Sequence, residues 1–359
     1  MQPSLQIEES YDSNFFSMGS AGNPDDTFVT TTTPALRLSY TRKHFSFDIY
    51  YGHHFRYLSR TSDTTDDGEN RSTLALEVPL SENTAVSVND IFSFVDDSGA
   101  ATGNDAVTGI QTERTERISN TFSIVANHAF TPQTTATLSL SDASEILLNS
   151  TLIDSRTDSA ALAINHQLSD RTSVDMTYGY SLFTFDDGGS ETDTESHSFH
   201  VGLSEQVSPT FSMNLSGGAS YTLDVNDSYD VTGQAGLAKT FQRSSFSLSY
   251  SRALTHSSGL IAEVSLSDSV SARWSYTATN TVELGIYGTY SKEESESTGS
   301  VDTDSYTAGL DGTWRPYSWL TLSAGYSHLQ QWSAGTIGLD LSRDQATVTA
   351  TVTPAGWSL

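Results

Sequence analysis

The chain has 359 residues, 36% of them hydrophobic and 17% charged, with a formal net charge of −27 and a mean hydropathy of −0.33. The acidic balance excludes a nucleic-acid binder, which needs a basic footprint, and the absence of cysteine excludes disulfides, thiolate metal sites and a cysteine nucleophile. No stretch approaches the roughly 18–20 consecutive apolar residues of a membrane helix. A membrane β-barrel escapes that test, because lipid-facing and lumen-facing residues alternate and average out.

In chain order, the first expected strand covers Ser4–Tyr11, marked by Leu5, Ile7 and Tyr11. Barrels are exported, so Met1 directly before QPSLQIEES reads as joined where a removed signal sequence stood. A second strand covers Thr27–Thr41, with Leu36, Leu38 and Tyr40 alternating against Arg37 and Ser39. A tight Arg42-Lys43-His44 corner leads into the clearest segment of the chain. There Phe45, Phe47, Ile49 and Tyr51 take one side, and Ser46, Asp48, Tyr50 and Gly52 the other. Period-2 alternation of this kind makes a strand with one apolar and one mostly polar face.

The plan then repeats. Val174, Met176, Tyr178, Tyr180 and Leu182 oppose Asp175, Thr177, Gly179 and Ser181; Phe211, Met213, Leu215, Gly217, Ala219 and Tyr221 oppose serine, asparagine and glycine. Phe246, Leu248 and Tyr250 stand against serines, Val282, Leu284 and Ile286 against Glu283, Gly285 and Tyr287, and Leu320, Leu322, Ala324 and Tyr326 against Thr321, Ser323 and Gly325. The final strand, from Ala346, alternates with threonine throughout. Short Pro, Asn, Asp and Ser corners, such as Ser81–Thr84, Thr131–Thr134 and Arg315–Ser318, join alternate pairs. The opposite connections are longer and rich in Gly, Asp, Ser and Thr, for example Asp96–Gln111 and Lys292–Asp304.

A soluble sandwich also alternates. Successive hairpins without a helix, short turns at one end against long loops at the other, and Tyr and Trp near strand ends together predict an all-β fold. The expected architecture is a transmembrane antiparallel up-and-down β-barrel of about 18 strands. It forms a single domain over residues 3–354, placed in the bacterial outer membrane with both termini periplasmic.

Acid collects in the expected loops: Asp63, Asp66, Asp67 and Glu69; Asp186, Asp187, Glu191, Asp193 and Glu195; Glu293, Glu294, Glu296, Asp302 and Asp304. None has the ligand spacing of a calcium loop, so they read as solvated, self-repelling segments and no metal site is assigned. His53 and His54 are adjacent on a strand and face opposite sides, which prevents joint chelation; His54 shares a face with Arg56. No GxSxG, HExxH, P-loop or dinucleotide fingerprint occurs, so neither an enzyme nor a cofactor is expected. The charges phased to point inward are Arg37, Asp48, Arg56, Asp175, Arg273, Glu283, Asp311 and Arg315. Such charges line an aqueous channel and tune its selectivity, or pair and brace the wall. Tyr50, Phe183 and Tyr287 are the inner-face aromatics, too scattered to form a sugar-binding track.

The opening residues resemble those of a β-barrel porin family of outer-membrane proteins associated with exopolysaccharide export. The likeness is carried by Tyr11, Asp12, Asn14, Phe15, Val29, Thr33, Pro34, Leu36, Tyr40, Tyr50 and Tyr51, and covers about the first sixty residues. It implies passage of exopolysaccharide through a polar lumen, with outer-membrane lipid and periplasmic export machinery as partners. The C-terminus departs from the pattern, ending TVTPAGWSL without a terminal aromatic. Three alternatives stand beside this reading. A general diffusion porin for small hydrophilic solutes would need an inward constriction, and no long loop announces one. The sheath of an electron conduit would need a multihaem partner, and a structural or adhesive barrel would use its acidic loops outside.

Overall fold

A computed structural model describes the chain except residues 15–25, 44, 60–63, 66–68, 98–114, 149–152, 187–188, 224–226, 258–262, 296–301, 335–339 and 355–359. The first strands are β1 (Gln2–Asp12), β2 (Thr27–Arg42), β3 (Phe45–His53), β4 (Phe55–Leu58), β5 (Thr64–Thr65), β6 (Asn70–Ser81) and β7 (Thr84–Asp97). Next come β8 (Thr115–Thr131), β9 (Thr134–Leu147), β10 (Asp154–Gln167), β11 (Thr172–Asp186), β12 (Glu191–Ser208) and β13 (Phe211–Leu223). The last are β14 (Ser228–Thr240), β15 (Ser244–Ser257), β16 (Glu263–Thr279), β17 (Val282–Ser295), β18 (Asp302–Tyr317), β19 (Leu320–Ala334) and β20 (Leu341–Val352).

All belong to one antiparallel sheet. β3 and β4 are one wall strand: Ala35↔Gly52 and Thr32↔Phe55 keep the same register on either side of His54. The break lies beside Pro34, which has no N–H to give a neighbour. The pair β5 merely prolongs the next wall strand, β6, where it meets β4. Eighteen wall strands result, and β1 pairs with β20 from Leu5↔Val352 to Asp12↔Gln345, so the sheet closes on itself. Closure leaves the sheet no free first or last strand, the kind of edge that lipid does not tolerate.

Both ends of the barrel follow from connection length. Two-residue turns such as 82–83, 132–133 and 209–210 mark one end, and the first and last strands begin and finish there too. Register shifts at Pro79/Ser81, Ala129/Thr131, Glu205/Ser208, Thr277/Thr279 and Trp314/Tyr317 all sit at these turns. A bulge reverses every side chain beyond it, so confining bulges to the turns leaves the alternation unbroken through the wall. At the other end the strands outrun their expected lengths. Glu191, Asp193 and Glu195 belong to β12, Glu293 and Glu294 to β17, Asp302 and Asp304 to β18, and Asp186 to β11, so these acids are strand ends rather than loop residues. Asp63, Asp66, Asp67, Asp187 and Glu296, most of the Asp96–Gln111 connection, His44 and Phe15 lie outside the described residues.

The outer face carries large apolar side chains left exposed on every side: Ile7, Leu76 and Ile124 around to Leu215, Ile286, Leu310 and Val348 lie on it, and most rank among the exposed hydrophobics. Aromatic clusters rim this band at the turn end, where Tyr40 meets Phe45 and Phe47 at 5.5 and 5.6 Å and Tyr317 stacks on Trp319 at 5.3 Å. At the loop end, outward tyrosines donate to outward aspartates on the next strand: Tyr250 to Asp268 (2.6 Å), Tyr290 to Asp304 (2.5 Å) and Tyr326 to Asp344 (2.6 Å). Amphipathic rings flanking an apolar band are the arrangement that suits two membrane interfaces.

Candidate channel lumen

The inner face is the complementary set of alternating positions: Ser, Thr, Gly, Asn, and charges. In its turn-end half, side chains such as Arg37, Ser39, Thr41 and Asp48 are open to solvent. In its loop-end half the same face is closed in. Ser10, Asp12, Thr33, Thr194, Ser220, Thr289, Ser305 and Thr307 are buried, and Gln331 and Leu341 have no exposed surface. The lumen therefore narrows towards the long loops.

All eight charges singled out from the sequence stand on this inner wall, and most are brought together in twos. Arg37 on β2 donates through Nε to both carboxylate oxygens of Asp48 on β3, at 2.8 and 3.0 Å, and Ser39 adds a 2.5 Å bond. Arg273 on β16 reaches over β17 to Asp311 on β18, its Nη2 donating at 2.7 and 3.0 Å. The strand between contributes Gly285, where a Cβ would come within 2.6 Å of the Asp311 carboxylate and 2.8 Å of the Arg273 guanidinium. A side chain there would push the bridge aside, and glycine leaves room for it. Arg273 also lies over the Tyr287 ring at 5.6 Å. Arg315 and Glu283 form a loose pair at 3.9 Å near the turn end. Arg56 pairs with Glu69 higher in the wall, where Glu69 is buried. Asp175 lies in register between Asn165 and Gly202 and has no ion-pair partner among the described residues.

His54 shares the inner face and contacts Thr33 Oγ1 through Nδ1 at 3.1 Å, whereas His53 lies outside, edge-on to Phe55 at 4.5 Å. No group of three metal-ligating side chains occurs among the described residues.

Two inner pairs were not singled out from the sequence. Arg117 and Glu145 join β8 to β9. Asp12 and Arg343 join β1 to β20 across the closure, with Arg343 Nε donating to Asp12 Oδ2 at 2.8 Å and both side chains buried. Arg117 alternates in phase with Ser119 and Thr121, a signal readable from sequence; the second pair is 331 residues apart and was not.

The narrowing has a visible origin on one side. The β14–β15 ladder runs only from Thr240↔Ser245 to Gly233↔Arg252, although both strands continue. Beyond that point β15 stays paired to β16 up to Ser257↔Glu263. Leu254 of β15 and Val264 of β16 pack with Phe183 and Phe185 on the inner face of β11, and Ile153 joins them. Three strands separate β11 from β15 in the wall, so this contact requires the top of the β15–β16 hairpin to fold inward across β12–β14. At the loop end the hairpin therefore lies across part of the barrel's interior, a feature that no long loop announced.

No protein-family model and no curated protein matches the chain. Solved structures do match in fold. OccK2 (OpdF) of Pseudomonas aeruginosa aligns with a TM-score of 0.55 at 9% identity, covering 99% of this chain and 98% of that one. OccK3 (OpdO) of the same organism gives 0.53 at 11% identity, covering 99% and 96%. OccAB4 of Acinetobacter baumannii gives 0.52 at 10% identity, covering 98% of each chain. At these identities the likeness establishes a shared closed barrel. The exopolysaccharide association implied by the opening residues finds no support among these matches.

Proposed function

We propose that the chain is an outer-membrane channel through which small hydrophilic solutes diffuse. The carrying observation is the wall itself: eighteen closed strands, apolar outside and lined inside by hydroxyls, glycines and charges of both signs. Barrels of 16–18 strands leave an aqueous channel, and inner charges of both signs tune which ions and solutes pass. The loop-end narrowing favours small solutes over a polymer, so the diffusion reading replaces the export of exopolysaccharide. The fold neighbours point the same way, one of them (OccK2) having been solved in complex with glucuronate. On this reading the turn end, with both termini, faces the periplasm and the long loops face outward.

Liposome swelling in sugars of graded size tests it. Proteoliposomes swell in mono- and disaccharides and fail to swell in long oligosaccharides. Swelling that is equally fast in the longest polymers would restore the polymer-export reading.

A further inference from the structure

The wall is not sealed along its whole height. Above Gly233↔Arg252 the edge of β14 has no paired strand among the described residues, and the Val231 carbonyl next on that edge accepts from Arg252 Nε at 3.1 Å. Tyr229 and Val231 point outward here and are 78% and 74% exposed, the highest values among the described large hydrophobic side chains. Tyr229 also stacks on Tyr221 at 4.4 Å, so the gap opens at the loop-end margin of the apolar band. The facing lip is ionic: Arg252 pairs with Asp268 at 2.6 Å, and Tyr250 donates to the same aspartate. Just inside lies the apolar cluster of Phe183, Phe185, Leu254 and Val264.

We propose that this gap is a lateral portal through which an amphipathic molecule, a hydrocarbon chain carrying a polar head, passes between the lumen and the outer leaflet. Its door is the β15–β16 hairpin. Unpaired backbone at membrane depth is tolerated only where it lines a cavity or passage, and a lip apolar on one side and ionic on the other matches both parts of such a molecule. The register shows the door's second position. Continuing the existing ladder would set Thr232 against Ala253 and Val231 against Leu254, with Val231, Leu254 and Leu266 all facing lipid. The alternation thus suits a zipped wall, while the apolar latch on Phe183 and Phe185 holds the hairpin tucked. The proposal rests on the membrane-channel reading.

The absence of native cysteine makes the test clean. The double variant Thr232→Cys/Ala253→Cys, which leaves the latch intact, is reconstituted in liposomes, and an NBD-labelled dodecylphosphocholine is added outside. Entry is read as the fraction that albumin, too large for the lumen, no longer extracts; ion conductance is recorded in parallel. With thiols reduced, the probe becomes protected far faster than in protein-free liposomes. Oxidation slows this at least tenfold and leaves conductance present. A second variant, Phe185→Ser/Val264→Ser, unlatches the hairpin without any crosslink and slows protection at least threefold. Equal entry in reduced, oxidised and unlatched protein, or no entry in liposomes that conduct ions, overturns the portal. Protein that folds but neither inserts nor conducts overturns the channel reading beneath it.

Discussion

Individual side chains on the inner wall divide by depth. Arg273 is about a third exposed on the inner wall while Asp311 is mostly covered beneath it, so removing the guanidinium chiefly changes the charge presented to the lumen. Arg273→Ala is expected to leave folding intact and uncover a carboxylate; in a salt gradient the reversal potential shifts towards cation selectivity, and an unchanged potential would remove Arg273 from the permeation path. Gly285→Val displaces the bridge without deleting either charge, so it is expected to move the reversal potential much less than Arg273→Ala. Asp12 and Arg343 are buried where the first and last strands meet, and breaking a buried pair by removing one partner costs about 3–5 kcal/mol. Asp12→Ala should therefore lower the temperature at which the folded band converts to the unfolded one on gel electrophoresis, whereas Asp48→Ala should scarcely move it. The phase of Arg37, Asp48 and Arg273 was legible because each lies in a run of strict alternation. Their partnerships were only partly so: Asp48 follows Arg37 across one turn, but Arg343 is joined to Asp12 by barrel closure, which no local pattern encodes. Glu69 was read among solvated acids, yet it is buried against Arg56 because the strand below it turns its phase inward.

At the level of elements, hairpin succession and the contrast between short turns and long connections were plain from the corner chemistry, and the eighteen wall strands follow from them. Alternation continues through the strand ends, so the acids of β12, β17 and β18 extend the barrel beyond the apolar band instead of hanging in loops. The inward fold of β15–β16 could not be read. Leu254 and Val264 keep the outward phase of ordinary wall residues, and only three-dimensional contact with Phe183 and Phe185 shows that they have left the wall. Phe185 is 1% exposed, and truncating a buried phenylalanine to alanine costs about 3–5 kcal/mol where the site does not collapse. Phe185→Ala is expected to loosen the hairpin and raise single-channel conductance relative to the parent protein. An unchanged conductance would mean that the hairpin does not set the narrowest section.

For the whole molecule, the two faces imply two solvents. A chain with net charge −27 and an exposed apolar belt is incompatible with water on all sides, since contiguous apolar patches drive association. Adjacent residues on β13 make the contrast sharp: Leu215 faces outward and Ser216 inward. Leu215→Arg is expected to destabilise the folded barrel in phospholipid by about 2–4 kcal/mol, the range for a basic residue near the bilayer midplane, while Ser216→Arg folds normally and changes conductance. Equal tolerance at both positions, measured by urea titration in vesicles, would contradict the assignment of faces. The most direct test of the central claim is single-channel conductance of the refolded protein in a planar bilayer, before and after addition of a long polysaccharide. An open aqueous barrel for small solutes gives a steady conductance that rises with salt and is indifferent to the polymer. Silence from protein shown to be folded and inserted would contradict it.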